Sequence, residues 1–256
     1  MPSPPVSGRV AVVTGASRGL GAGLADHFAA VGMHLGLCAR HRPVPPAAQD
    51  GHTGPPVTAA VDVTDRAALD AFAAEVVARY GRIDLWVNNA GLLGPVGPLA
   101  DADPDLVRRT VDVNVTGVLH GAAVFAAHVR SRPGPGALVN ISSGAATKPY
   151  EGWAAYCATK AAVDQLTRVV ALEEAPHGLV AYALAPGLVD TDMQAAVRAS
   201  DELAFPEVAR FRRAAEEHRF NSPAWVAEHI LALAFGPRQP DPVVRVPDEA
   251  VPGLAG

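Results

Sequence analysis

Short apolar runs and amphipathic stretches alternate along the chain. Seven of the apolar runs predict strands, at Val10–Val13, Met33–Ala39, Val57–Val61, Ile83–Asn88, Ala137–Ile141, Val180–Ala185 and Val243–Val246. The stretches between them have helical spacing, and this alternation is typical of a parallel sheet with crossover helices. The sequence has no internal repeat and no linker long enough to divide it. The pattern therefore predicts a single α/β domain over residues 1–256.

Helix signals fill the intervals between the strands. Five helices are predicted, at Leu20–Val31, Asp65–Tyr80, Asp103–Val129, Trp153–Ala175 and Pro223–Ala234. Asp103 followed by Pro104 is a typical helix start, because aspartate caps free N–H groups and proline fits the first turn.

Two further segments connect these elements. Residues 191–218 are helical and charged with a break at Phe205–Pro206, and we interpret residues 188–220 as a lid over the substrate. We interpret its charged stretch from Glu207 to Arg219 as a solvated lid helix rather than a binding patch. The proline-rich stretch from Pro43 to Pro56 predicts a surface loop that replaces or shortens a helix.

Composition narrows the class of protein. The 256 residues have a net charge of −5, which argues against nucleic acid as a partner because phosphate binding needs clustered positive charge. No apolar run reaches the roughly 20 residues that cross a bilayer, and the N-terminus does not resemble a secretion signal. The two cysteines cannot form a disulfide framework, and the nine histidines show no metal-ligand spacing. We therefore expect a cytoplasmic protein that uses no membrane and no metal.

A glycine-rich turn directly follows the first predicted strand. It reads Thr14-Gly-Ala-Ser-Arg-Gly-Leu-Gly21 and runs into a helix. Glycines allow a dinucleotide pyrophosphate to approach the backbone and to rest on the helix N-terminus, where free N–H groups favour negative charge. A turn without a ligand is the less favoured alternative, because the motif stands between the first strand and helix of an α/β chain. The candidate cofactor residues of this turn are Gly15, Ser17, Arg18, Gly19, Leu20 and Gly21.

The end of the second predicted strand indicates which dinucleotide is used. An NAD site needs an acid there, about 20 residues after the glycines, to hold the ribose 2′-hydroxyl. The position is Ala39, followed by Arg40, and no Asp or Glu occurs between His27 and Gln49. Arg40 and Arg18 would instead hold the 2′-phosphate of NADP(H), unless both are merely solvated. We expect NADP(H).

Tyr156 and Lys160 lie four residues apart in a predicted helix, so their side chains share one face. A tyrosine with a pKa near 10 is a poor catalyst at neutral pH, and a neighbouring ammonium moves that pKa towards the working range. The pair alone occurs by chance in many helices. The pair is stronger evidence for an active site when taken together with Asn88–Gly91 and Ser142–Ser143. These segments end two strands, and open α/β sheets bind ligands at that edge.

Together these motifs resemble the short-chain dehydrogenase/reductase family from Gly8 to about Glu249. The matching pieces are the Thr14–Gly21 turn, Asp62-Val63, Asn88–Gly91, Asn114, Ser143, Tyr156, Lys160, and Pro186-Gly187 followed by Thr191. The resemblance implies a Rossmann-type, doubly wound domain with a mostly parallel seven-stranded sheet of order 3-2-1-4-5-6-7. It also implies a homodimer or homotetramer that packs through the helices near 105–129 and 153–175.

The resemblance also implies catalytic roles. Tyr156 would protonate the substrate oxygen, and Ser143 would hydrogen-bond that oxygen, with Ser142 as the alternative serine. Lys160 would hold the nicotinamide ribose and lower the pKa of Tyr156, and Asn114 would position a water in a proton relay. The remaining cofactor contacts would come from Asp62, Val63, Asn89, Ala90, Gly91, Pro186, Gly187, Val189 and Thr191.

A narrower likeness, to sepiapterin reductases and bacterial benzil reductases, implies a substrate class. It rests on the segments 152–157, 171–174, 186–194, 222–227 and 245–249. The expected reaction is NADPH-dependent reduction of a ketone, an α-diketone or a pterin side-chain carbonyl. Alternatives are an NADP-dependent alcohol dehydrogenase, a 3-oxoacyl reductase, or an NADP-binding redox sensor that no longer turns over. Candidate substrate contacts are Trp153, Met193 and Asp248. Trp153 is equally interpreted as packing at the pocket rim, and for Asp248 a solvated tail residue is the favoured interpretation.

Overall fold

The seven predicted strands form one parallel sheet. The computed structural model describes residues 6–47 and 54–250, and its sheet has the order β3-β2-β1-β4-β5-β6-β7. Every neighbouring pair of strands is parallel, which confirms the expected doubly wound fold. The strands are β1 Val10–Thr14, β2 His34–Ala39, β3 Val57–Ala60, β4 Leu85–Asn88, β5 Gly136–Ile141, β6 Leu179–Ala185 and β7 Val243–Arg245.

Eight α-helices flank this sheet within the described residues. They are α1 Gly19–Ala30, α2 Arg66–Tyr80, α3 Pro104–Val111, α4 Gly117–Arg130, α5 Ala154–Glu174, α6 Asp192–Arg198, α7 Val208–Glu216 and α8 Pro223–Phe235. Capping explains several starts: Asp65 accepts from Ala68 N–H before α2, and Ser222 accepts from Trp225 N–H before α8. Of the predicted proline-rich loop, residues 48–53 lie outside the described part, and residues 42–47 are irregular.

Both faces of the sheet are buried. Leu24 and Phe28 of α1 pack with Ile230 of α8 against one face, whereas Phe72 of α2 and Phe125 of α4 pack against the other. Such double burial explains why the strands read as continuous apolar runs rather than as alternating ones. The carboxyl ends of the strands are thereby fixed at one edge, where the loops can form a site.

The long helix predicted from Asp103 to Val129 is interrupted. A π-helical turn, Asp112–Thr116, separates α3 from α4 and contains Asn114. Such turns insert one residue into a helix without breaking it, so the apolar spacing does not reveal them. By length and mean hydropathy alone, the continuous run Pro104–Arg130 could cross a membrane, but half of its apolar window is buried inside the molecule.

The lid is less helical than its sequence indicates. Residues 191–218 form two short helices, α6 and α7, and residues 199–207 between them are not α-helical. Phe205 in this connection is fully buried and stacks on Trp153, with ring centroids 4.4 Å apart. Because the Phe205 ring is buried, α6 ends at Arg198, earlier than Pro206 alone would require.

Candidate functional site

A cavity of about 850 Å³ opens at the carboxyl ends of the strands, between the glycine-rich turn and the lid. Apart from Asn114 and Asp248, every candidate residue of the sequence analysis lines it. These residues are Gly15, Ser17, Arg18, Gly19, Leu20, Gly21, Arg40, Asp62, Val63, Asn89, Ala90, Gly91, Ser142, Ser143, Trp153, Tyr156, Lys160, Pro186, Gly187, Val189, Thr191 and Met193.

The glycine-rich turn is shaped as a dinucleotide cradle. Gly15 has φ +66°, and a Cβ there would lie 2.7 Å from the Ala90 Cα. The Asn89 side chain donates to Thr14 O at 2.9 Å and to Gly15 O at 3.1 Å, which ties the turn to the end of β4. A Cβ on Gly21 would collide with that Asn89 amide. The backbone is therefore held open beside the N-terminus of α1, and these residues fit a pyrophosphate.

Two arginines and two carboxylates line the end of the cavity where the adenosine is expected. Arg40 directly follows β2 and is exposed, and Arg18 pairs with Asp192 of α6 at 2.9 Å. Asp62 is the second carboxylate. Hydrogen bonds from Thr64, above all from its backbone N–H, hold the pKa of Asp62 below its usual value, with smaller effects of the Arg109 and Arg40 charges, while partial burial opposes them.

Tyr156, Ser143 and Lys160 meet at the opposite end. Tyr156 and Lys160 lie one turn apart on α5 and are buried, and the Ser143 hydroxyl shares a hydrogen bond with the Tyr156 phenol. The Ser142 hydroxyl instead donates to Asp164. Ser143 is therefore the serine that faces the tyrosine, as the spacing predicts.

Asn114 lies just behind the cavity wall. Its Oδ1 accepts from Leu92 N–H at 2.8 Å, and its Nδ2 donates to Leu92 O at 2.8 Å and to Thr159 Oγ1 at 3.1 Å. A Cβ on Gly91 would lie 3.4 Å from Asn114 Oδ1 and 3.9 Å from Lys160 Nζ, so the two polar groups flank Gly91. In this structure Asn114 joins the loop after β4 to α5, and the π-helical turn aims it there.

Burial moves two pKa values in the site. Burial raises the pKa of Tyr156 to about 12, with the Ser143 hydrogen bond opposing it and nearby Cys157 adding to it. Lys160 Nζ lies 5.6 Å from the Tyr156 ring centre and donates to Ile141 O at 2.7 Å, and its effect on the pKa of Tyr156 stays a prediction. Burial also lowers the pKa of Lys160 to about 8, against the charge of Asp164.

The substrate end of the cavity is aromatic. Trp153 stacks on Phe205 and meets the Tyr156 ring edge-on, with centroids 5.6 Å apart. Its indole N–H is buried and has no hydrogen-bond partner in the structure. Tyr150 and Phe211 complete the cluster, at 5.0 Å and 5.4 Å from Trp153. Trp153 thus packs against the lid and also lines the cavity.

Asp248 does not reach this cavity. Its side chain is 88% exposed and lies 3.8 Å from Arg245. The neighbouring Glu249 explains why: its carboxylate accepts from the Ser222 N–H and hydroxyl at the start of α8, which fixes the tail away from the substrate. The structure therefore agrees with the interpretation of Asp248 as a solvated tail residue and does not bring it to the cavity.

The sequence analysis missed several residues that line the cavity. They are Tyr150 and, on the lid, Leu188, Gln194, Arg210 and Phe211. The segment Glu207–Arg219 is not simply a solvated face, since Val208, Phe211 and Ala214 are buried at a spacing of three that the sequence does contain. Arg210 donates to the Tyr150 hydroxyl at 3.2 Å, a contact that no spacing reveals. Residues 6–47 and 54–250 contain no group of three His, Cys, Asp or Glu side chains that could hold a metal.

Comparisons with known proteins agree with this geometry. A family model described as short chain dehydrogenase matches residues 9–202. The chain is 36% identical over 159 residues to a benzil reductase ((S)-benzoin forming) of Bacillus subtilis, covering 60% of this chain. The match covers 64% of that enzyme's length, less than two thirds. It is 34% identical over 196 residues to 3beta-hydroxysteroid dehydrogenase 1 of Eggerthella lenta, covering 74% of each chain.

Solved structures extend the likeness over nearly the whole chain. The KRED1-Pglu enzyme matches with a TM-score of 0.78 at 32% identity, covering 92% of this chain and all of that one. Levodione reductase matches with a TM-score of 0.76 at 27% identity, covering 90% of this chain and 91% of that one.

Proposed function

The chain belongs to the short-chain dehydrogenase family, and on that premise we propose that it uses NADPH to reduce a carbonyl group to an alcohol. The substrate carbonyl oxygen lies between Tyr156 and Ser143. The bound NADPH supplies the hydride. Tyr156 donates its phenolic proton to that oxygen, and the Ser143 hydroxyl donates a hydrogen bond to it. Lys160 would hold the nicotinamide ribose.

The placement of Tyr156 and Ser143 is the observation that carries the proposal. Both side chains line the cavity and share a hydrogen bond, so one substrate oxygen can meet both. Burial raises the pKa of Tyr156, so the phenol carries the proton that carbonyl reduction requires.

NADP(H) is proposed over NAD(H) because of the charges at the adenosine end. Arg18 and Arg40 both line the cavity there, and β2 ends without a carboxylate. Arg40→Ala should raise the KM for NADPH ten- to hundredfold and hardly change that for NADH, since a charge-assisted bond to phosphate contributes about 1.5–3 kcal/mol. Steady-state kinetics with both cofactors check this. An unchanged preference would contradict the assignment of Arg40 and shift the test to Arg18→Ala.

Because the cavity wall is aromatic, we propose that the substrate is a ketone or α-diketone that carries an aromatic group. The proposed substrate class also includes a pterin side-chain carbonyl. Stacked rings favour planar substrates, and the free indole N–H of Trp153 suits an acceptor such as the second oxygen of a diketone. The likeness to a benzil reductase points the same way. Measuring NADPH oxidation with benzil, sepiapterin and simple ketones tests it. Absence of NADPH oxidation with every carbonyl would contradict the proposed function and favour a cofactor-binding sensor.

An alcohol dehydrogenase is the second candidate. It is favoured by the 34% identity to a hydroxysteroid dehydrogenase. Incubation with NADP⁺ and hydroxysteroids at pH 7 decides between the two directions. Faster oxidation than carbonyl reduction under equal cofactor concentrations would make the second candidate the better one.

Assembly and location complete the proposal. Large apolar side chains are exposed on α3, α4 and α5, which supports a homodimer or homotetramer formed through these helices. They are Leu106, Val111, Leu119, Val169 and Leu172. A reducing, cytoplasmic setting is proposed because Cys38 and Cys157 are both free.

A further inference from the structure

The end of β5 contacts α5 at three successive turns. The Ile141 carbonyl accepts from Lys160 Nζ at 2.7 Å, and the Ser142 hydroxyl donates to Asp164 Oδ1. Ser143 shares its hydrogen bond with Tyr156. Since Tyr156, Lys160 and Asp164 are spaced by four along the helix, they form one continuous stripe. The proposed function uses the first two of these residues and leaves Asp164 unexplained.

Asp164 is placed to act on the site without touching it. Its side chain is buried, with 5% of the residue exposed, and it does not line the cavity. It lies one helical turn beyond Lys160 and fixes Ser142, the residue between the carbonyl that holds Lys160 and the serine that holds Tyr156. A buried carboxylate in such a place costs stability unless it is paired, so its position calls for a reason.

We propose that Asp164 is a positioning residue of the reductase: it anchors the end of β5 through Ser142 and balances the charge of Lys160 from beneath the cavity. The proposal rests on the proposed function, in which Lys160 and Ser143 both act on the bound substrate and cofactor. Asp164 would act through those two residues and would touch neither substrate nor cofactor.

Among the described residues, few charged groups surround Lys160 and Asp164. Lys160 faces the Tyr156 phenol and Asp164 on its own helix, and on β5 it meets only a carbonyl. Burial lowers its pKa to about 8, and Asp164 is the charge that opposes this fall. Burial also raises the pKa of Asp164; the Ser142 hydrogen bond and the Arg168 and Lys160 charges oppose that rise, and Asp241 adds to it. Removing the Asp164 charge should therefore lower the pKa of Lys160.

The composition of the chain allows a direct measurement. Lys148 and Lys160 are its only lysines, so protein labelled with ¹³C-lysine gives two side-chain signals in an NMR titration. Lys148→Arg removes one signal and assigns the other. The wild-type Lys160 signal should titrate near pH 8. Asp164→Asn, which retains an acceptor for Ser142, should lower this midpoint by about one pH unit, the usual effect of a charge at close range. An unchanged midpoint would overturn the charge-balancing role.

Two variants separate charge from anchoring. Asp241→Asn removes a neighbouring charge that does not act on Lys160, and it should leave the Lys160 midpoint unchanged. Ser142→Ala keeps the Asp164 charge and removes its hydrogen bond, so it should preserve the midpoint and reduce kcat several-fold with unchanged NADPH affinity. A wild-type kcat in Ser142→Ala would overturn the anchoring role.

An NMR measurement on the wild-type protein tests the proposal even if Asp164→Asn does not fold. In protein labelled with ¹³C-aspartate, the carboxyl signal of Asp164 should shift at the pH where Lys160 titrates. The same signal should persist in Asp241→Asn, which shows that it does not come from Asp241. The proposal falls if no aspartate signal responds at that pH.

Kinetics connect this titration to the reaction. In Asp164→Asn the basic limb of the kcat/KM profile should move to lower pH by the same amount as the Lys160 midpoint, whereas a merely structural defect would lower kcat/KM equally at every pH. If the wild type reduces no carbonyl, the proposed function fails while the NMR titration still tests Asp164. If the wild type is active and both midpoint and profile are unchanged in Asp164→Asn, only the inference about Asp164 fails.

Discussion

Burial disfavours the charged forms of both Tyr156 and Lys160. The phenol keeps its proton because its pKa rises to about 12, and the ammonium is easier to deprotonate because its pKa falls to about 8. The first shift keeps Tyr156 in the protonated form that reduction requires. The second places a titration of Lys160 at the edge of the physiological range, where Asp164 and a bound cofactor can influence it.

Replacing Lys160 by methionine should abolish activity and change how stability depends on pH. Below pH 8 the folded state buries a charged lysine, and this penalty is fully present. Between pH 8 and 10.5 the unfolded state binds more protons than the folded state, so wild-type stability rises relative to Lys160→Met by up to about 1.4 kcal/mol per pH unit. Denaturant unfolding of both proteins from pH 7 to pH 10 checks this. A constant difference across that range would mean that burial does not shift Lys160.

At the scale of elements, the apolar pattern is enough to predict the sheet and five of its helices. It succeeds because a doubly covered sheet turns each strand into an apolar run, and because Asp65, Asp103 and Ser222 are caps that can be read directly. It fails at Asp112–Thr116, since a π-helical turn preserves the surrounding helical spacing.

The site residues likewise divide into those that the sequence predicts and those that it does not. Glycines, arginines and the Ser143–Tyr156–Lys160 set can be found from spacing because they follow strands or share a helix face. The lid contacts of Tyr150, Phe205 and Arg210 depend on how distant segments pack, so local pattern does not reveal them. The sequence also does not reveal that burial raises the pKa of Tyr156, because burial is a tertiary property.

Close packing of α4 against β4 leads to a test of the fold. A Cβ on Gly121 would lie 2.9 Å from both Asn88 Cγ and Trp86 Nε1, within a buried hydrogen-bond network. Gly121→Ala should therefore destabilise the protein by about 1–3 kcal/mol, as overpacking does. The matched control is Gly144→Ala, whose Cβ would meet nothing within 4 Å. Thermal unfolding of both variants checks this, and equal melting temperatures would argue against this helix–sheet contact.

At the scale of the whole molecule, the exposed apolar side chains call for a partner surface. Leu172 on α5 is 79% exposed, and Leu203 on the lid is 91% exposed. If copies of the chain pair through α4 and α5, Leu172→Glu should yield monomers at micromolar concentration, because a charge is then buried at the interface. Leu203→Glu should keep the wild-type assembly. Sedimentation velocity distinguishes these outcomes; equal masses for wild type and Leu172→Glu would contradict pairing through this face.

The central claim is that Tyr156 gives a proton to a carbonyl reduced by NADPH. The most direct measurement compares NADPH oxidation by wild type and Tyr156→Phe with benzil, together with NADPH binding by fluorescence. Only the phenolic hydroxyl, and with it the proton donor, is removed, so turnover should fall at least about 100-fold while the Kd for NADPH stays within a factor of two or so. Turnover within about tenfold of the wild type would contradict the role of Tyr156 as the proton donor.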